Sequence, residues 1–181
     1  MKVGVIYGSS RRGGNSELLA EEVVRGIVCQ RVFLNDGIDP IMDKRHASES
    51  FGPLEMSYAQ KLQDLIDLPI WIFASPVYWY GFSAQMKAFI DRWSQVMRLP
   101  EWAFQERMAA KKAYLVLAGG DNPQLKAMGL VTQFYWTCDF MGMDFQGYVI
   151  GEGNTPGDVL RDQAALERAR QINAAIRHIV G

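Results

Sequence analysis

Read from the N-terminus, the chain alternates between short apolar runs and longer stretches in which apolar residues recur every three or four positions. Lys2–Tyr7 is rich in β-formers and stops at Gly8, which predicts a strand. Ser16–Cys29 places Leu18, Leu19, Val23 and Ile27 on one face and predicts a helix. A short strand is expected near Arg31–Leu34, then a long polar, turn-rich connection over 35–53. Leu54, Tyr58, Leu62 and Leu65 mark a helix over Leu54–Ile66. Pro69–Ala74 is almost wholly apolar, as in a central parallel strand buried on both faces.

The second half repeats the alternation. A helix is expected over Ser83–Met97, a segment of undetermined shape over 99–110, and an apolar strand over Ala113–Ala118. Asn122–Pro123 reads as an N-cap with proline at the first helical position, opening a helix that runs to Met141. Asp144–Ile150 is the last strand and Asp158–Val180 a long amphipathic helix. Strict βα alternation with short βα loops predicts a doubly wound α/β domain over 1–181. Five parallel strands suit the order 2-1-3-4-5, with a ligand crevice at the carboxyl ends of the strands.

Composition narrows the function. With 181 residues, 49% of them hydrophobic and 22% charged, the chain has the make-up of a globular protein. A net charge of −1 offers no basic excess for nucleic acid. No apolar run approaches a membrane span or a signal peptide, so a cytoplasmic protein without a membrane partner is expected. Cys29 and Cys138, each in an apolar, helix-like context, read as core thiols in a reducing compartment. His46 and His178 are isolated, and no ligand spacing predicts a metal site.

Three loops carry the candidate chemistry. Gly8-Ser9-Ser10-Arg11-Arg12-Gly13-Gly14-Asn15-Ser16 lies between a strand and a helix, where free N–H groups and the helix dipole favour an anion. Ser9, Ser10, Asn15 and Ser16 add polar contacts, and Arg11 or Arg12 a counter-charge. The same composition also suits a plain polar turn with a Ser or Asn cap. Neither the Gly-x-Gly-x-x-Gly fingerprint nor the P-loop lysine is present; Gly14 stands at the lysine's place. After the third strand, Ser75–Lys87 includes the consecutive aromatics Tyr78, Trp79 and Tyr80, stiffened by Pro76 and relieved by Gly81. Such rings either wall a flat ligand or seal the core or a subunit contact. Ala118-Gly119-Gly120-Asp121, after the fourth strand, lets a ligand approach the backbone closely.

Together GSSRRGGNS, SPVYWYGFSAQMKAFIDRW, AGG and GNTPGD resemble the NAD(P)H-dependent FMN reductase family, which includes flavodoxin-like quinone reductases, along essentially the whole chain. The resemblance implies a flavodoxin-like fold in which Ser9, Arg11, Asn15 and Ser16, with neighbouring backbone including Ser10, hold the FMN phosphate. It implies that Pro76, Val77, Tyr78, Trp79 and Gly81 line the isoalloxazine ring and that Gly119 and Gly120 face its pyrimidine side. It implies a homodimer or homotetramer formed through the helix SAQMKAFIDRW. Related iron–sulfur flavoproteins carry a compact cysteine motif after the second strand; here that stretch has no cysteine, so no cluster is expected.

The implied reaction is a ping-pong transfer from NADPH or NADH through FMN to a small electron acceptor, such as a quinone, flavin, azo or nitro compound. No catalytic acid, base or nucleophile is assigned, because the cofactor carries the chemistry. The competing reading is a flavodoxin-type electron carrier. Against it, such carriers are expected to be strongly acidic, and residues 75–87 contain no acid.

Overall fold

A computed structural model describes residues 2–35 and 53–181. Five strands, β1 (Val3–Tyr7), β2 (Cys29–Phe33), β3 (Ile70–Pro76), β4 (Lys112–Gly119) and β5 (Asp144–Glu152), form one all-parallel sheet in the order β2-β1-β3-β4-β5. The expected topology and strand order hold. The sheet reverses its winding between β1 and β3, so the loops that follow those two strands diverge and leave a crevice between them.

Helices α1 (Asn15–Val23) and α8 (Gln163–Val180) cover one face. They pack Leu19, Ala20, Leu166, Ala169 and Ile172 against Val3, Val5, Ile72 and Val116. The other face is covered by α2 (Met56–Ile66), α3 (Ala84–Asp91), α4 (Trp93–Val96), α5 (Phe104–Ala109), α6 (Pro123–Lys126) and α7 (Met128–Met141). Its core is aromatic. Phe73 meets Phe134 edge-on at 4.8 Å and Trp93 at 6.2 Å, and Trp93 meets Phe104 at 5.8 Å. The segment 99–110, whose shape the pattern leaves open, is a 3-10 turn (Pro100–Trp102) followed by α5, which buries Phe104 and Met108 as the lid of this core.

Several expected helices are shorter or broken. The first ends at Val23, because Gly26 takes a left-handed φ of 68° and the chain turns into β2; Cys29 therefore begins a strand rather than ending a helix. The helix over Ser83–Met97 is interrupted at Arg92, and the one over Pro123–Met141 at Ala127. Asn122 does not cap with its side chain but takes a left-handed φ of 45°. The last helix starts at Gln163, where the Asp162 carboxylate accepts from the Ala165 N–H at 3.0 Å; Asp158–Arg161 is a separate 3-10 turn.

Cys29 and Cys138 are free and buried, and burial raises both thiol pKa values, that of Cys138 to about 12. Trp71 is fully buried, with its indole N–H on the Leu65 carbonyl at 2.9 Å. The long connection and His46 lie largely outside the described residues. Among the described residues no helix is long and apolar enough to cross a membrane.

Candidate functional site

The β1–α1 loop leaves the sheet at Gly8, whose N–H donates to the Ala74 carbonyl at 2.7 Å. Its carbonyl accepts from the Ser83 hydroxyl, which also caps α3 by accepting from the Met86 N–H at 3.2 Å. A Cβ on Gly8 would come within 2.8 Å of the Met86 Cβ, so this close approach of two loops needs glycine. The loop then returns into α1 with Gly14 as an N-cap that has no side chain to satisfy the first-turn N–H groups. Those donors, the buried Ser9 and Ser16, and the Arg11 side chain converge on a cavity of about 240 Å³. The donor set suits a phosphate.

The cavity wall continues along Pro76, Val77 and Tyr78 from the β3 loop and Ala118, Gly119 and Gly120 from the end of β4. Val77 N–H donates to the Ala118 carbonyl at 2.8 Å, so the two loops are stitched together before they diverge. A second cavity of about 150 Å³ shares Val77, Gly119 and Gly120 with the first and extends to Trp79, Tyr80, Asp121 and Lys126. The two form one trough along the sheet edge, from an end rich in hydrogen-bond donors to an aromatic end.

Tyr78–Gly81 is a tight hairpin closed by reciprocal backbone hydrogen bonds, each 3.0 Å. Its central residues take left-handed φ values of 49° (Trp79) and 62° (Tyr80), which the turn type demands and which glycine or asparagine would ordinarily supply. Trp79 is 96% exposed. Beside the hairpin, the Asp121 carboxylate accepts from the Tyr80 hydroxyl at 2.9 Å and pairs with the Lys126 ammonium at 2.6 Å. The Lys126 hydrogen bond, then that of Tyr80, holds the Asp121 carboxyl below its ordinary value. Asp121, the one acid lining the trough's aromatic end among the described residues, therefore carries its own counter-charge.

Most residues expected at the site meet here. Ser9, Arg11, Asn15, Ser16, Pro76, Val77, Tyr78, Gly119 and Gly120 line the first cavity and Trp79 the second. Ser10 and Gly81 line neither; Gly81 instead closes the hairpin. Arg12 points away and lies over the Phe33 ring, which stacks on Tyr7 at 4.5 Å. Asn15 lines the first cavity and also ties two loops together. Its amide donates to the Thr155 carbonyl at 3.0 Å and accepts from the Gly157 and Val159 N–H groups at 2.9 and 3.4 Å. It brackets the loop after β5 onto the first loop, and that fifth-strand loop supplies the missing wall: Gly153, Asn154 and Pro156. The motif GNTPGD marks the loop in the sequence, but only the β4–β5 register, with Gly119 opposite Glu152, brings it to the cavity.

A donor-rich end, an aromatic end and glycines where the loops meet lie at the switch point of a flavodoxin-like five-stranded parallel sheet of order 2-1-3-4-5, the place where such sheets take their ligands. Comparison with known proteins makes the class specific. The NADPH-dependent FMN reductase family model matches residues 1–154, and the chain belongs to that family: it is an oxidoreductase that uses FMN and NAD(P)H. A Bacillus subtilis (strain 168) protein provisionally described as an NAD(P)H-dependent FMN-containing oxidoreductase is 45% identical over 174 residues, covering 95% of this chain and 96% of its own. A solved structure described as the Trp repressor binding protein from Bacillus subtilis superimposes with a TM-score of 0.81 at 41% identity, covering 94% of this chain and 97% of its own. The NAD(P)H:quinone oxidoreductase from Methanothermobacter marburgensis shares the fold at a TM-score of 0.73 and 16% identity, covering 97% of this chain and 96% of its own.

Proposed function

We propose that the trough holds FMN, with its phosphate at Ser9, Arg11, Ser16 and the first-turn N–H groups of α1 and its ring between the Pro76–Gly81 loop and Gly119–Gly120. The observation that carries this reading is the continuity of an uncapped, arginine-flanked helix start with an aromatic and glycine-lined slot. When bound, FMN supplies the hydride chemistry, taking electrons from NADPH or NADH and passing them to a small acceptor of the quinone, flavin, azo or nitro class. The chain's part is to bind and orient. Arg11 offsets phosphate charge, the Asn15 bracket keeps the fifth-strand loop closed over the phosphate end, and the hairpin presents backbone N–H groups and rings to a flat partner. Lys126 masks the Asp121 charge, which eases two-electron reduction at the ring end.

A homodimer or homotetramer fits the outward face of α7, where Tyr135, Trp136 and Phe140 are 46%, 60% and 70% exposed. By contrast, α3, the helix first expected at the interface, carries a Lys87–Asp91 ion pair at 2.6 Å on its accessible side. Two free, inert thiols agree with a cytoplasmic setting. The test is steady-state turnover of FMN-loaded protein with NADPH and a soluble quinone varied together. Parallel double-reciprocal lines are expected; bound FMN with no turnover would turn the reading to an electron carrier.

A further inference from the structure

The hairpin presents an unusual problem. Two consecutive bulky aromatics sit in the left-handed region inside a turn closed by the Tyr78–Gly81 backbone hydrogen bonds, and Trp79 is almost wholly exposed. Among the described residues the hairpin has one side-chain hydrogen bond to the rest of the molecule, from the Tyr80 hydroxyl to Asp121. Asp121 is in turn fixed by Lys126, whose ammonium lies 5.8 Å from the Tyr80 ring centroid. Three residues from two loops and a helix thus form a closed circuit at the trough's aromatic end: hydroxyl to carboxylate, carboxylate to ammonium, ammonium to ring.

We propose that Asp121 and Lys126 are positioning residues for the flavin reaction, acting through Tyr80 as a latch that holds the strained hairpin in its binding geometry and cancels the carboxylate's charge beside the ring. The proposal rests on the trough being the FMN site. An exposed ion pair contributes little to global stability, so the latch matters locally, where it selects one hairpin geometry from those a free turn would visit. Trp79 and Tyr80 N–H groups make no backbone hydrogen bond among the described residues and are free to donate. Pre-setting their direction removes an ordering cost from binding. The charge balance is separable from the geometry. Removing Lys126 leaves an unpaired carboxylate that opposes added electrons; removing the Asp121 charge leaves an unpaired ammonium that favours them.

The experiment compares wild type, Tyr80→Phe, Asp121→Asn and Lys126→Met by FMN titration of the apo-protein and by the two-electron midpoint potential of the bound flavin. Tyr80→Phe is expected to weaken FMN about fivefold, the worth of one hydrogen bond, with its potential near that of wild type. Lys126→Met is expected to lower the potential and Asp121→Asn to raise it. Because all three side chains are partly exposed, the urea midpoint of each apo-variant stays at the wild-type value. Unchanged affinity in Tyr80→Phe, together with potentials that do not move in opposite directions in the two charge variants, would overturn the latch while leaving the FMN site standing. A wild-type protein that bound no FMN would overturn both.

Discussion

Removing the Asn15 side chain should open the phosphate end of the trough. In the native chain its amide makes two well-formed hydrogen bonds, to the Thr155 carbonyl (3.0 Å) and from the Gly157 N–H (2.9 Å), and a longer one from the Val159 N–H (3.4 Å). Gly153 packs so closely on it that a Cβ there would lie 2.6 Å from the Asn15 Nδ2. Each good bond is worth about 1 kcal/mol net, so Asn15→Ala loses about 2 kcal/mol of loop closure. If the loop must close again to complete the wall at Gly153, Asn154 and Pro156, that cost is paid on binding, and the FMN Kd rises about thirtyfold. The thermal midpoint moves far less, because the loop opens locally rather than with the sheet. Asn15→Asp keeps the acceptor oxygen for the Gly157 and Val159 N–H groups, loses the bond to Thr155 and adds an anion at the phosphate end. It should weaken FMN more than riboflavin. Fluorescence titration with both ligands reads the two effects. An Asn15→Ala protein that bound FMN within about twofold of wild type would refute the bracket.

Arg11→Gln should weaken FMN about tenfold while leaving riboflavin affinity unchanged, since only FMN carries the phosphate; equal losses for both would place Arg11 elsewhere. Lys111 is buried, with its ammonium donating to the Ile66 and Leu68 carbonyls at 2.7 and 3.0 Å, and desolvation pulls its pKa down to about 8. Its folded pKa lies below the unfolded value, so the unfolded chain binds more protons above pH 8 and wild-type stability rises from there toward pH 9.5 relative to Lys111→Met; parallel urea midpoints across that range would contradict this. The same variant takes the ammonium partner from the Ile66 carbonyl, which is buried, and from the Leu68 carbonyl, which is partly buried, and should cost about 2 kcal/mol at pH 7. Glutamate at Trp136 and Phe140 together should shift the protein to monomer in sedimentation, and an unchanged mass would exclude the α7 face as the contact.

Much of this architecture was legible from pattern because it rests on local rules. The unbroken apolar run of β3, the glycine-terminated β1 and the βα alternation lead to one topology. Boundaries that depend on tertiary contact were not legible. Ile27 and Val28 continue a helical-looking run past Gly26, yet Gly26 takes a left-handed turn there and Cys29 pairs with Val3 in the sheet. The break at Arg92 has no proline or glycine near it to announce it. At the site, residue types on the first, third and fourth strands' loops were readable. The fifth-strand loop was marked by GNTPGD, but its place at the cavity was not legible, since that depends on β5 register; the latch, whose three members lie on separate elements, was not legible either.

The central claim is that this trough binds FMN and lets NAD(P)H reduce it. The direct measurement is the absorbance spectrum of protein with stoichiometric FMN, taken anaerobically before and after NADPH and, separately, NADH. The account predicts a perturbed flavin spectrum on binding and loss of its visible bands within seconds of adding at least one nucleotide. Flavin that binds but keeps those bands with both nucleotides would contradict the reductase, and FMN that shows no spectral change on mixing would contradict the site itself.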